Sequence, residues 1–481
     1  MSSSLLSIAR TALTLHQRAI DVVGQNLSNA TVEGYSRQRV ETAAAHPVYF
    51  ANIGHVGTGV VISGIERARD ALLDGTYRTQ RGEAAAAGFS LDVLQQLEAI
   101  VGEPSSAGLA ESLDAFWNAW SDLASSPMNA GARAIVQQRG AQLAATLNRF
   151  AAQVDQVDQT TREQLGTMVS DANQLTRQIA DLNRMIVAGE ASGDRANDLR
   201  DARDRAIDQL ATLGSVETIE RGDGSVAVFL GGISVVDGTD AKALTTELIG
   251  GSLQVSFVAQ PGKPLSALGG QIGAALRAIN SDVPATMREL DALAATLVDT
   301  VNGIHQGGVI WNDATPPVAS PAPEFFRTDP LAGSPGADRY RTARHITLSV
   351  EVAESASNIA ASTATAAGPT NNAVALQLAA LRDTPVGVSD PDGTARGTMS
   401  FGAFWRNVAT DLGVRVRATD NEVAVRETLA GNADMRRQSV SGVSTDEELV
   451  LLIKHQQAYA AAARLVTVAD EMSRILVELG R

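Results

Sequence analysis

The two ends of the chain read LLSIARTALTLHQRAIDVVGQNLSN over residues 5–29 and LVLLIKHQQAYAAAARLVTVADEMSRILVEL over residues 449–479. In the first, Leu6, Ala9, Leu13, His16, Ile20, Val23 and Leu27 recur at alternating three- and four-residue steps. In the second, Leu449, Leu452, Gln456, Tyr459, Ala463, Val466, Ala469, Met472, Leu476 and Leu479 do nearly the same. This spacing lays a narrow apolar stripe along one side of a helix, the pattern of a coiled-coil seam. The stripes sit at opposite ends of a 481-residue chain. If they pair, the chain leaves from one point, builds a body and returns.

Inward from the first stripe, Asn29 and Gly34 suit a helix end, since both tolerate the left-handed conformation. Thr31 to Val61 reads as extended, with Val40, Val48, Tyr49, Phe50, Val60 and Val61 among turn residues. Helical pattern returns near Ile65 and runs with breaks to Leu213. Its clearest part is Phe150 to Val187, where Val154, Val157, Thr161, Leu165, Met168, Ala172, Leu175, Ile179, Leu182 and Ile186 keep heptad spacing. The period then changes. Val216–Ile219, Val226–Leu230 and Ile233–Val236 are short β-type runs split by Arg221-Gly222-Asp223-Gly224 and Gly231-Gly232, which predicts hairpins. Further strands are expected at Leu253–Val258 and His345–Val352. Helices are expected at Leu268–His305, Asn372–Leu381 and Thr398–Met435, the last weakened at Gly413. Ser444 and Glu447 make a capping box for the terminal helix.

The expected architecture is mainly α with β-rich insertions: an elongated bundle of long helices whose N- and C-terminal helices pair as a coiled coil. Residues 1–40 with 441–481 would be the paired terminal helices, and 41–215 with 266–312 and 370–440 a rod-like helical body. Residues 216–265 would be a β-hairpin insertion and 313–369 a loop- and β-rich one.

Composition narrows the function classes. Net charge is −15, and Lys242, Lys263 and Lys454 are the lysines, which argues against binding along a phosphate backbone. No stretch approaches the roughly 18 apolar residues of a membrane span, and the N-terminus lacks the pattern of an ordinary secretory signal. Cysteine is absent, so no disulfide locks the chain against unfolding. Aromatics are 4%, which points to cores of Ala, Leu and Val.

Catalytic, cofactor and metal residues are not apparent. The six histidines (His16, His46, His55, His305, His345 and His455) show no metal-ligand spacing. There is no nucleophile elbow and no P-loop. Asp390 and Asp392 with Gly393 resemble the start of a calcium loop, but the later oxygen ligands are missing and a tight turn is the simpler reading. Arg221-Gly222-Asp223 is an adhesion tripeptide on paper and a hairpin tip in the plainer reading. Asp198, Asp201 and Asp204 read as a solvated helix face, with Arg200, Arg203 and Arg205 adding intrahelical pairs of about 0.2–0.5 kcal/mol each. The sequons at Asn26 and Asn29 read as capping and interface polar groups.

The stretch Gly24-Gln25-Asn26-Leu27-Ser28-Asn29-Ala30-Thr31-Val32-Glu33-Gly34-Tyr35-Ser36-Arg37-Gln38 resembles the N-terminal signature of bacterial flagellar axial proteins. Asn26, Asn29, Gly34, Tyr35, Ser36, Arg37 and Gln38 carry that likeness, and the Tyr-Ser-Arg-Gln ending is similar to the hook-associated protein 1 branch. Glu33 stands where the family usually has proline. Similar agreement runs through Phe116, Pro127, Ala132 and Arg133, through Ala196-Asn197-Asp198-Leu199 with Asp201, Arg203 and Asp204, and through Gly231-Gly232 with Val235–Gly238. It continues at Val301-Asn302 with His305 and at Gln456–Tyr459 with Ala469–Met472.

The resemblance implies a structural subunit, not an enzyme, without a cofactor. It would be exported unfolded through the flagellar type III channel from the cytoplasm and assemble at the hook tip as a ring between hook and filament. Its implied partners are the hook protein, the second hook–filament junction protein and other copies of itself. A cytosolic export chaperone would hold the C-terminal helix before export. The seam residues Leu6, Leu13, Ile20, Leu27, Leu452, Tyr459, Val466, Met472 and Leu476 would carry assembly contacts. An ordinary intramolecular helix pair remains the competing reading of that seam. Other readings of the chain are another axial protein (the second junction protein or a flagellin), a surface adhesin, or a cell-wall hydrolase.

Overall fold

The computed structural model describes residues 2–50, 54–102, 108–191, 193, 195–311, 319–328, 342–363, 368, 370–390 and 393–479. Among them the helices, in chain order, are α1 (Ser2–Asn29), α2 (Ala71–Val101), α3 (Leu109–Ser125), α4 (Ala130–Glu190), α5 (Asn197–Leu213) and α6 (Gly270–Arg277). There follow α7 (Val283–Gln306), α8 (Thr342–His345), α9 (Val350–Glu354), α10 (Ala373–Ala380), α11 (Phe401–Ser441) and α12 (Thr445–Leu479). The chain is mainly α with strand-rich insertions, and α1 packs along α12, as the two end stripes predict. Two compact units result: residues 1–86 with 167–273 and 424–481, and residues 87–166 with 274–423.

The longest helix, α4, has 61 residues. Its buried stripe starts in the predicted heptad register at Val154, Val157, Thr161 and Leu165, then passes to Val169, Ala172, Thr176, Ile179, Asn183 and Ile186. Met168 and Leu175 are only half-buried. A straight helix of 3.6 residues per turn drifts away from a strict seven-residue repeat, which accounts for the shift.

In the first unit, Gln38–Ala44 pairs antiparallel with Val60–Arg67 and the hairpin lies against α1. The strands Val216–Glu220, Val226–Leu230, Ile233–Asp237 and Asp240–Ala241 make a four-stranded sheet, and Leu244–Ile249, Ser252–Phe257 and Gln260–Pro264 a three-stranded one. Two asparagines of α4 hold these sheets by mimicking a strand neighbour. Asn173 donates to Leu244 O (2.9 Å) and accepts from Leu244 N (2.7 Å). Asn183 donates to Val226 O (2.8 Å) and Gly238 O (2.6 Å) and accepts from Val226 N (3.1 Å). Both amides, the buried one of Asn183 and the half-buried one of Asn173, are thereby satisfied.

The second unit departs from the expectation of an aliphatic core. Its centre is a cluster of Phe116, Trp117 and Trp120 on α3 with Phe325, Phe326 and Phe401, all buried, at ring separations of 4.8–6.2 Å. A low aromatic average conceals their concentration in one place. Asn302 clamps the Phe pair, accepting from Phe325 N and Phe326 N (both 2.9 Å) and donating to Phe326 O (2.7 Å). The expected strand at His345–Val352 is shorter: Ile346–Leu348 pairs with Phe326–Thr328, and Ser349 then caps α9, its Oγ accepting from Val352 N (3.2 Å). Serine before a short β-branched run was the missed helix signal.

His305 sits beside the aromatic cluster with no exposed surface. Its Nδ1–H donates to Pro323 O (2.8 Å) and its Nε2 accepts from Ala360 N (2.9 Å), which requires the neutral ring. Burial pushes its pKa down to about 4, against a slight upward pull from the Pro323 carbonyl. The unfolded chain, titrating near 6.5, binds a proton first as pH falls. Stability is therefore full above about pH 6.5 and is lost towards about pH 4, by about 3 kcal/mol. Urea titrations of the wild type across that window should show this slope, and His305→Gln should flatten it. An unchanged slope in the variant would refute the assignment.

Candidate functional site at the chain ends

After α1 the chain turns sharply, with Val32 N bonded to Asn29 O (2.9 Å) and Tyr35 N to Val32 O (3.2 Å). Gly34 has φ +76°, and a Cβ there would lie 2.3 Å from Arg205 Cγ. Both the left-handed backbone and the missing side chain are thus used. Gly34→Ala should lower the unfolding free energy by about 1–2 kcal/mol; a neutral result in denaturant titration would mean that the loop relaxes freely.

Asn26 is the hub of the loop. It is buried, its Nδ2 donating to Gln38 O (2.9 Å) and Glu448 Oε2 (3.0 Å), and its Oδ1 accepting from Gln38 N (2.9 Å) and the Tyr35 hydroxyl (2.9 Å). Burial, then the charges of Asp201 and Asp198, push the Tyr35 phenol up to about 12, so it stays a donor. Asn29 closes the helix end on Gln25 O (3.0 Å). Ser36 binds Asp201 through N (3.1 Å) and Oγ (2.7 Å). Arg37 reaches α12, with Nε on Glu448 (2.7 Å) and Nη1 on Glu447 (2.8 Å). The Gln38 side chain meets Asn197 (3.3 Å), whose Nδ2 also binds Ile65 O (2.9 Å). The seven signature residues thus tie α1, α5, α12 and the following hairpin together.

Of the acidic residues of α5 read as a solvated face, Asp198 is exposed as expected, but Asp201 and Asp204 are not. Asp201 and Asp204 have side chains only 5% and 13% exposed and accept from Arg67 at 2.7 and 2.8 Å. Asp204 also holds Arg69 (3.3 Å) and Arg78 (3.4 Å); Arg69 continues to Asp74 (2.7 Å), and Arg78 to Asp208 (2.6 Å). Burial raises the Asp204 pKa, but Arg69, Arg67, Arg78 and Arg203 together outweigh it and hold the group at about 2. Nor are the arginines intrahelical partners. Arg200 pairs with Glu190 (2.7 Å) and with Glu220. Arg203 is buried on Asn183 Oδ1 (3.0 Å) and Gly224 O (2.7 Å). The sequence did not single out Arg67, Arg69 or Arg78, and it read Glu448 only as an acid at the positive N-terminus of the terminal helix. The dense Asp/Arg alternation over 198–208 was the available signal.

The capping box of α12 is half made. Ser444 Oγ accepts from Glu447 N (3.5 Å), while the Glu447 carboxylate turns to Arg37 instead of back to Ser444. Along the helix pair, the fully buried seam consists of Ala9, Ala19, Val22 and Val23 on α1 and Ala462 and Ala469 on α12. Of the expected seam residues, Leu13, Ile20, Leu27, Leu452 and Val466 are half-buried. Leu6, Tyr459 and Met472 are exposed, and the Leu476 side chain lies outside the described residues. Val450, Ile453, Leu465, Val468 and Ile475 are exposed as well, at 42–65%.

Elsewhere, the Arg221–Asp223 tripeptide is engaged with its own hairpin: Arg221 pairs with Asp237, and Asp223 accepts from Ser225 N (3.0 Å) and Oγ (2.7 Å). That disfavours an adhesion loop. Asp392 of the calcium-like turn lies outside the described residues. Among the described residues no group of three or more His, Asp or Glu could hold a metal ion, and no helix is long and apolar enough to cross a membrane.

Long helices whose first and last members are clasped by the Asn26–Gln38 loop are the arrangement that the resemblance to flagellar axial structural subunits implies. Residues 94–316 match the family described as the flagellar hook-associated protein FlgK helical domain, and residues 437–479 the flagellar basal body rod FlgEFG protein C-terminal family. Flagellar hook-associated protein 1 of Bacillus subtilis is 28% identical over 97% of this chain and 96% of its own length, and that of Escherichia coli 23% over 99% and 100%. The flagellar hook junction protein FlgK from Burkholderia pseudomallei shares the fold, with a TM-score of 0.65 at 16% identity over 76% of this chain and 100% of that one. Over nearly its whole length, then, the chain is similar to flagellar hook-associated protein 1.

Proposed function

We propose that this protein is the first subunit of the hook–filament junction, exported by the flagellar type III system and assembled at the hook tip through its terminal helices. One observation carries the reading. The pair of α1 and α12 buries Ala9, Ala19, Val22, Val23, Ala462 and Ala469, and Val450, Ile453, Leu465, Val468, Met472 and Ile475 stay uncovered along α12. Exposed large side chains on one helix mark a surface that another chain covers. On this reading residues 1–40 with 441–481 are the assembly domain, and Leu6, Tyr459 and Met472 keep the contact role that the sequence suggests. The neighbours would be further copies in a ring, the hook protein below and the second junction protein beyond. A cytosolic chaperone would cover α12 before export. The helical body and the insertions 216–265 and 313–369 would be carried outside that contact.

The test uses isolated hooks lacking junction proteins, with tip capping imaged by electron microscopy. The full-length protein should cap, and a form lacking residues 1–40 and 441–481 should not. Val466→Asp, a charge on the half-buried side of α12, should abolish capping with far-UV circular dichroism unchanged. Capping by the truncated form, or by Val466→Asp at wild-type level, would move the contact to the body.

A further inference from the structure

His16 on α1 and His455 on α12 face each other across the helix pair, Nδ1 to Nδ1, at 3.2 Å. Their ring centroids are 5.5 Å apart and the planes are inclined at 43°. Both rings are half-buried, and His455 lines a cleft of about 790 Å³ whose walls include Val22, Val23, Arg39, Asp446 and Val450. Nothing in the clasp of Asn26, Arg37 and Glu448 uses either ring.

We propose that His16 and His455 form a two-histidine clamp for a borderline divalent transition ion of the Zn2+ or Cu2+ type, and that the bound ion joins the two ends of the chain. The argument is geometric. Two imidazole nitrogens bound to one tetrahedral ion, each about 2.0–2.1 Å from it, stand about 3.3 Å from each other. The observed separation already has that value, so both lone pairs can converge on one ion with little movement. Without an ion the pair must share a single proton, one ring as donor and the other as acceptor.

Burial lowers the pKa of both rings, which favours the unprotonated nitrogen that a metal ion needs. Imidazole nitrogen suits Zn2+ and Cu2+ and does not suit Mg2+ or Ca2+. Water would take the remaining coordination positions. The cleft's acids Asp446, Glu447 and Glu448 stand against Arg37 and Arg39, with Glu447 and Glu448 already paired to Arg37, and Lys454 opposes a cation, so the two imidazoles and not the surrounding charge select the ion. Because the ligands come from the two ends of the chain, only the closed helix pair has the site. Binding is then linked to closure.

The experiment uses the full-length protein at pH 7 with ZnSO4 or CuCl2 alone. Isothermal titration should give one ion per chain, with affinity at least tenfold weaker in His16→Gln and in His455→Gln. Both variants keep a hydrogen-bonding side chain, and their far-UV circular dichroism should equal that of the wild type. Zn2+ should raise the melting temperature of the wild type and of neither variant, and the protein should stay monomeric in sedimentation. Electron paramagnetic resonance of the Cu2+ form of the wild type should show two equatorial imidazole nitrogens, a readout independent of how the variants fold. Equal affinity in either variant, no binding up to millimolar ion, a single coordinated imidazole, or ion-driven dimerisation would each overturn the clamp.

Discussion

Asp204→Ala should be among the most destabilising single changes in this chain, at about 3–5 kcal/mol. The carboxylate is 13% exposed and stands among Arg67, Arg69 and Arg78 at 2.8–3.4 Å. Each arginine keeps one other acid (Asp201, Asp74 and Asp208), so none becomes wholly unpaired. Three guanidinium groups would nevertheless crowd a poorly hydrated space with their common counter-charge removed. Asp204→Asn separates charge from shape, since it keeps the volume and an acceptor oxygen, and most of the loss should remain. The pH dependence has a definite sign. The folded-state pKa of about 2 lies below the ordinary 3.8. The stability that Asp204 contributes is therefore complete above about pH 3.8, and about 2 kcal/mol of it is lost as pH falls through 2. Urea unfolding of wild type and Asp204→Asn should diverge most above pH 5 and converge towards pH 2. A constant gap across that range would mean that the charge is not what the network uses.

The terminal helices, the hairpins after Val216 and the helical body were legible because each rests on local periodicity. Which face of α12 turns inward was not. Apolar residues occur on most of its sides, and the stripe of larger residues at Leu452, Tyr459, Val466 and Met472 attracts attention, while close approach of two helices selects Ala462 and Ala469. The clasp was legible as a resemblance and illegible as physics. Asn26, Ser36 and Arg37 find their partners at Glu448 and Asp201, which no local pattern connects to them. A charged helix such as α5 reads as solvated until Arg67, Arg69 and Arg78 arrive from a distant segment. Asn183 could have been noticed, since an amide at a buried-stripe position of α4 needs a partner and finds the edge of a sheet.

Glu448→Ala should open the chain ends at a cost of about 3 kcal/mol, the low end of what removing one member of a buried ion pair costs. The Glu448 side chain is 1% exposed, and it receives Arg37 Nε at 2.7 Å and Asn26 Nδ2 at 3.0 Å. Its loss leaves an arginine side chain that is 10% exposed without its buried counter-charge and one N–H of the buried Asn26 amide without its acceptor. Glu447 offsets part of this through its 2.8 Å contact with Arg37, but it is 64% exposed and screened by water. Hydrogen exchange should report faster opening of α1 and α12, with the second unit unaffected. The double variant Arg37→Met/Glu448→Leu should recover much of the loss, because apolar replacement of both partners removes the unpaired charge. Hook-tip capping should follow the same order, since an α12 released at its first turn no longer holds Val450, Ile453 and Met472 in a fixed register on α1. Wild-type exchange rates in α12 of Glu448→Ala would show that the alanine seam alone sets the pairing. A double variant weaker than the single would assign the effect to packing and not to charge.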